Sequence, residues 1–243
     1  MLDFNVTADE IVEKAGELAI LPIGSTEQHG PHLPMCTDYV VATEISKRIA
    51  EKTGAYLLPT LPISTCYEHK GKKGSVWMKP DTFYSVIQDI VLCLKGQGFK
   101  KVAVVLGHGG IFIATPAIRE LNAMFDDLKV AKIDFLNFFG TKDMLEILES
   151  PNNLHACEYE TSLMLYFKEE LVKKDKIKDA DCVPQYPRDF LNYVSLIKLS
   201  KNGVWGEPSL GTKEKGEKIA RVLVDESIKY MNRVFDTMEY DAW

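Results

Sequence analysis

The sequence predicts an α/β domain built on a largely parallel sheet. Short apolar runs alternate with segments of helical periodicity, the pattern of βαβ units. Residues 101–106 (Lys-Val-Ala-Val-Val-Leu) form a near-continuous β-branched run, typical of a parallel strand covered on both faces. The chemically distinctive residues stand in loops directly after predicted strands, where ligands bind in such sheets.

Taken in order, residues 19–24 (Ala-Ile-Leu-Pro-Ile-Gly) read as a buried strand closed by glycine. A polar loop with Glu27, His29 and His32 follows. Residues 38–52 carry Val41, Ile45 and Ile49 at helical spacing, with Asp38 at the helix start. Residues 56–59 read as a second strand. Residues 80–96 form a helix with Phe83, Ile87, Ile90, Val91 and Leu94 on one face. The strand 101–106 runs into Gly107-His108-Gly109-Gly110, and a helix with Ile118, Leu121 and Phe125 inward comes next. Residues 130–135 read as a strand. Residues 158–168 read as a helix with Leu163, Met164 and Phe167 inward, and 213–233 as a long helix with Ile219, Val222, Leu223, Ile228 and Met231 inward. The stretch 180–210, rich in Pro, Asn, Gly and Tyr, is the loosest. No repeat or composition shift divides the chain, so one domain over 1–243 is expected.

A chain of 243 residues is long enough for a sizeable core. Its net charge of −6 offers no basic patch for nucleic acid and no polybasic arm for a membrane. No apolar run approaches the roughly 18 residues of a spanning helix, and residues 1–13 lack the layout of a signal peptide. The five cysteines are an odd number without a Cys-x-x-Cys pair, against a zinc knuckle or a disulfide framework. A reducing, cytoplasmic setting is expected.

All five histidines lie in motif-like clusters, and four have a carboxylate close by. Imidazole and carboxylate together are the donors that a borderline divalent metal takes. Glu27 and His29, two apart, leave an extended segment on the same face. The expectation is a metal-dependent enzyme.

Glu27-Gln28-His29-Gly30-Pro31-His32-Leu33-Pro34, Thr37-Asp38, Gly107-His108-Gly109-Gly110 and His155-x-x-Glu158-x-Glu160-Thr161-Ser162 together resemble the creatininase (creatinine amidohydrolase) family. Gly203-Val204-x-Gly206-x-Pro208 and Glu214-Lys215-Gly216 are similar to its C-terminal segment. The resemblance spans roughly residues 18–230. It implies a three-layer α/β/α sandwich with a mostly parallel sheet, and a centre of two divalent ions (Zn, Mn or Fe). It also implies hydrolysis of a cyclic amide or other small non-peptide C–N bond, and a homohexamer acting on a small molecule. Loop aromatics such as Trp77, Tyr186 and Phe190 suit subunit contacts.

The resemblance casts Glu27 and His108 as ligands of the first metal, His29 of the second, and Asp38 as the bridge. Creatininase itself has a carboxylate two residues after the His108 equivalent, where this chain has Gly110. Glu158 is expected to supply that missing ligand and to take part in catalysis. His155 matches a histidine that handles protons at the leaving nitrogen. With His155 and Glu158 three apart, a helix beginning here would put both on one face. Two metals about 3.5–4 Å apart can hold a hydroxide at neutral pH and polarise a carbonyl.

The chain departs from the family pattern at Leu106 and Ile111, where asparagines are frequent, and at Leu154, where creatininase has a glutamate. Nor does it carry a tryptophan-rich substrate loop. Creatinine is therefore not the expected substrate. Around the centre, His32, Glu68, His69 and Arg188 are the substrate-binding candidates, His32 also as a residue orienting a ligand. Arg188 suits a carboxylate or phosphate. Other family activities remain open: deformylation of a ribosylated pyrimidine, trimming of a modified peptide, and ring-opening of a cyclic keto-sugar. So do a non-enzymatic oligomeric relative and a metal-free hydrolase using Cys36 or Cys157.

Overall fold

Two apolar runs, Leu18–Ile23 (β2) and Lys101–Leu106 (β4), pair along their whole length as parallel neighbours, Leu18 opposite Lys101 and Ile23 opposite Leu106. They form the centre of a five-stranded parallel sheet ordered β1-β3-β2-β4-β5 in a computed structural model that describes residues 1–239. Residues 240–243 of the expected single domain lie outside the described residues. β1 is Leu2–Asp3, β3 Tyr56–Leu57 and β5 Lys129–Asp134.

The strands are buried on both faces, so their side chains divide between two cores. Ile20, Ala103, Val105 and Ile133 face one core with helices α2 (Thr37–Thr53), α6 (Glu158–Phe167) and α9 (Lys213–Glu239). Ala19, Leu21, Val102, Val104 and Val130 face the other with α3 (Pro80–Gly96) and α4 (Ala114–Met124). This is the α/β domain on a parallel sheet that the pattern predicted, in the three-layer α/β/α form that the family resemblance implied. Among the described residues no helix is long and apolar enough to cross a membrane.

Three differences from the sequence reading have plain causes. Helix α1 (Ala8–Lys14) was not anticipated, because it buries no residue and so shows no apolar stripe; its start is held by a capping box between Thr7 and Glu10. The strand at 130–135 stops at Asp134, whose carboxylate accepts from the Leu136 N–H and starts a 3-10 turn. Trp77 is half-buried with its edge on Tyr67, whereas Tyr186 and Phe190 are exposed as expected.

The chain leaves β2 for α2 and β3 on one side of the sheet, and leaves β4 for α4 and β5 on the other. The switch point between β2 and β4 opens a crevice at their carboxyl ends. Two glycines let α2 approach it. A Cβ at Gly24 would stand 2.5 Å from the Tyr39 Cα, and one at Gly107 would stand 2.6 Å from the Asp38 carbonyl oxygen. The first turn of α2 therefore rests on the backbone of both strand ends, with Asp38 between them. Gly24→Ala should destabilise the fold by about 1–3 kcal/mol, the scale of overpacking a close contact. A lowered urea midpoint at unchanged slope is the expected readout; an unchanged midpoint would show that α2 can withdraw freely.

Candidate metal centre

Each central strand ends in a turn that delivers ligand-type side chains to the crevice. Beyond β2, residues 24–29 bring Glu27 and His29; beyond β4, Gly107 brings His108; α2 brings Asp38. Glu27, His29, Asp38, His69, His108 and His155 are all buried. Three overlapping groups, Glu27–His69–His108, Glu27–His29–His155 and His29–Asp38–Glu160, each have one donor atom per residue within 4.8 Å of the others.

The orientation of these groups follows from their outer partners. Ser25 Oγ donates to Glu27 Oε2 at 2.7 Å, which turns Oε1 inward. His29 Nδ1 faces the Glu27 carbonyl at 3.2 Å; a carbonyl only accepts, so the proton sits on Nδ1 and Nε2 is left for the interior. His155 Nε2 likewise donates to the Gln28 carbonyl at 2.7 Å, which leaves Nδ1 on the side of Glu27, 3.8 Å from Oε1. Gln28 Nε2 donates to the Gly203 carbonyl and to His69 Nδ1, both at 3.0 Å. His69 Nε2 then points at Glu27 Oε1, 3.0 Å away.

His108 Nδ1 lies 3.1 Å from Glu27 Oε1 and 3.2 Å from Asp38 Oδ2. Neither contact has hydrogen-bond alignment, and both carboxylate oxygens are buried without a partner. Buried polar atoms are ordinarily satisfied. An imidazole nitrogen and two unsatisfied carboxylate oxygens converging on shared space are the donor set of a cation site. Asp38 divides its carboxylate: Oδ1 is 3.1 Å from His29 Nε2, while Oδ2 faces His108.

Protonation reflects the same crowding. Burial alone would raise the Glu27 carboxyl, but the His108 and His69 imidazoles hold it well below the usual carboxylate range. Burial works against the charged forms of His29 and His108, yet adjoining carboxylates, Asp38 and Glu160 for the first and Glu27 for the second, lift both well above the usual imidazole range. Burial, reinforced by His29 and His69, drives His155 the other way and keeps it neutral. Burial, with Glu27 nearby, pushes the Cys66 thiol up to about 12, and burial beside Glu160 raises Cys157 well above the thiol range. A buried thiol held protonated is a poor nucleophile, which removes Cys157 from the metal-free reading.

Glu158 is not in this cluster, and its expected roles as second-metal ligand and catalytic group are corrected. Helix α6 begins at Glu158, so His155 precedes the helix and the three-residue spacing does not put the two on one face. The Glu158 carboxylate instead accepts from the Glu149 and Ser150 backbone N–H groups and from Lys215 Nζ. Residues two apart on a helix diverge, and Glu160 is the one turned to the centre, its Oε1 3.8 Å from His29 Nε2. Its other oxygen accepts from the Ala156 N–H, presented by a left-handed backbone at Ala156, φ 49°. A sequence signal existed: Glu160 stands three and four residues ahead of Leu163 and Met164, on their stripe.

His32 does not reach the crevice either. It is fully buried, with Nε2 2.9 Å from Thr161 Oγ1, and burial lowers its pKa to about 4. Its place is behind the ligand loop, tying that loop to α6. Glu68, His69, His108, His155, Glu160 and Arg188 do line a cavity of about 430 Å³ over the centre. Gly110 leaves room for Glu68: a Cβ there would stand 1.8 Å from Glu68 Oε1, and that oxygen lies 3.0 Å from His108 Nε2.

The model of the family called creatininase, described as creatinine amidohydrolase, matches residues 5–231. The chain belongs to the creatininase family. As a creatininase-family protein it is an enzyme of the metal-dependent amidohydrolase class. It is 29% identical over 227 residues to creatinine amidohydrolase of Pseudomonas putida, covering 86% of this chain and 87% of that one. It is 30% identical over 254 residues to 3-dehydro-scyllo-inosose hydrolase of Thermotoga maritima, covering 92% and 79%. The crystal structure of a creatininase superposes with a TM-score of 0.81 at 25% identity, over 100% of this chain and 99% of that one. A manganese creatininase structure and a mutant creatininase structure of zinc–zinc type, both at 25% identity, superpose at 0.79, each covering 97–98% of both chains.

Two outcomes are expected of the creatininase-family centre. Glu160→Gln should lower metal content by elemental analysis, because a neutral amide is a weaker ligand. Glu158→Gln should keep the metal and lower stability by about 1–3 kcal/mol, the scale of a weakened buried charged hydrogen bond. The reverse pattern would reinstate Glu158. Metal loading should also release protons. The neighbouring carboxylates raise the pKa of His29 and of His108 against burial, which favours their protonated forms without metal, and a ligating nitrogen must give its proton up. Affinity should therefore rise with pH through neutrality. Calorimetry in buffers of different ionisation enthalpy reads this; loading with no net proton release would contradict it.

Proposed function

We propose that this creatininase-family enzyme is a two-metal hydrolase that opens a cyclic amide or cleaves another small non-peptide C–N bond. The observation carrying this reading is the divided carboxylate of Asp38, with one oxygen toward His29 and the other toward His108. Glu27, His108 and Asp38 suit a first ion, with His69 beside them; His29, Glu160 and Asp38 suit a second. Manganese and zinc are the ions named for related solved structures. When bound, such a pair supplies Lewis-acid polarisation of a carbonyl and a lowered pKa for water.

The chain's own groups supply the proton handling. His155 is neutral and buried, with its Nε2–H committed to the Gln28 carbonyl. Nδ1 is thus the atom that accepts a proton from the attacking water and returns it to the departing nitrogen. Glu68 stands 3.0 Å from His108 Nε2, which leaves Nδ1 as the nitrogen facing Glu27 and Asp38. The apolar wall formed by Leu106, Phe135, Phe139, Leu154 and Leu196 keeps the cavity small and poor in water.

A second reading, hydrolytic ring-opening of a cyclic keto-sugar, draws support from the Thermotoga maritima relative, which aligns over 92% of this chain. A screen of the manganese- or zinc-loaded protein against lactams, cyclic ureides, formamides and cyclic ketoses separates the two by which class is turned over.

Asp38→Ala should remove both ions, and elemental analysis showing two ions retained would refute the bridge. His155→Ala should leave the metal in place and slow turnover by roughly 10²–10⁴-fold, the scale of general acid–base catalysis. Loss of metal in that variant, or an undiminished rate, would assign His155 another role.

A further inference from the structure

Arg188 stands at the mouth of the cavity, where it opens the 3-10 turn Arg188–Asn192. Its Nη2 comes within 4.0 Å of the position that a Cβ on Gly109 would take, so the guanidinium reaches to the residue beside His108. Apart from the imidazoles at its floor, the acidic residues along the cavity wall are the carboxylates Glu68, Asp134, Glu160 and Asp189. Arg188 is the sole lysine or arginine among the described lining residues.

The guanidinium pairs with none of them. Asp134 is occupied by the Leu136 N–H and by Lys132. Glu160 is held by the Ala156 N–H, and Glu68 lies against His108. Among the described residues Arg188 has no hydrogen-bond or ion-pair partner. Arg188 is solvent-exposed, so the cavity position of its guanidinium, not its lack of a partner, sets it apart from the other exposed arginines. An arginine presents five donors in a planar fork that matches a carboxylate or phosphate in two-point contact.

We infer that the substrate carries an oxyanion, a carboxylate or phosphate group, which Arg188 binds at the cavity mouth while the hydrolysable group lies over the metal centre. The inference rests on the two-metal reading of the same site. It gives the cavity two poles: imidazoles and carboxylates at the floor, one unpaired cation at the rim. Arg188 then sets specificity, since a neutral analogue would leave the guanidinium without a partner.

The test uses zinc-loaded protein of measured metal content and three metal-directed probes of equal length. These are butyrohydroxamate, the monohydroxamate of succinate, and the corresponding phosphonate. Calorimetry should show the wild type binding at least one anionic probe about 10- to 100-fold tighter than the neutral one, the scale of a charge-assisted hydrogen-bonded pair. The preference for succinate monohydroxamate or for the phosphonate identifies which oxyanion is taken. In Arg188→Met the ratio of anionic to neutral affinity should collapse toward one, and Arg188→Lys should restore part of it. Equal binding of all three probes by the wild type, or a preference that survives in Arg188→Met, overturns the inference while leaving the two-metal reading in place. Failure of every probe, butyrohydroxamate included, to bind metal-loaded protein overturns both together.

Discussion

The cost of burying charge governs this molecule. Glu27 and Asp38 are almost wholly shielded from water, and Glu160 is nearly so. An ionised carboxylate in such a place is tolerated only when paired or bound to metal. The histidines answer that requirement, and three are in turn held by something outside the cluster: His29 by its own loop, His155 and His69 by Gln28. The parallel sheet makes the arrangement possible, because adjacent strands β2 and β4 end side by side and send their chains in opposite directions. Gly24 and Gly107 complete it by admitting the start of α2. The raised pKa values of His29 and His108 are what a carboxylate-rich centre produces before a cation takes over the compensation.

Much of this was legible in the sequence. The central strands, the helices that cover them and the loops bearing Glu27, His29 and His108 follow from apolar periodicity and from glycine at strand ends. Asp38 was visible as the acidic residue opening α2. Strand edges were less legible: β1 and β3 are two residues each, too short to show a pattern. Glu158 was expected to replace the carboxylate that Gly110 lacks, and a helix starting at His155 would have set it beside that imidazole. The true start is set by the extended Cys157 and the left-handed Ala156, and neither residue type announces such a backbone. A shift of helix start changes which carboxylate faces inward, so Glu160 and Glu158 exchanged roles.

Gly110 illustrates how a missing side chain acquires meaning from its surroundings. Read along the chain, it is the absence of a carboxylate two residues beyond His108. In three dimensions the space it leaves is filled by Glu68, delivered from a separate loop. The carboxylate from this other loop stands beside His108 Nε2, outside the three donor groups, so it fills the space without joining the ligand set.

The Gln28 amide ties the first ligand loop to the Gly203 carbonyl across a separation of 175 residues, and Trp205 pairs with His155 through its backbone. The left-handed Gly203 is needed there, because a side chain would meet Gln28 Oε1 at 2.0 Å. During synthesis on the ribosome, then, β2, α2 and β4 emerge early with four ligand-type residues in hand. The imidazoles of His69 and His155 are not locked until the segment around residues 203–206 has left the exit tunnel. The centre matures last, as a long-range closure of the chain on itself, and a nascent chain halted before that point holds the donors without their geometry.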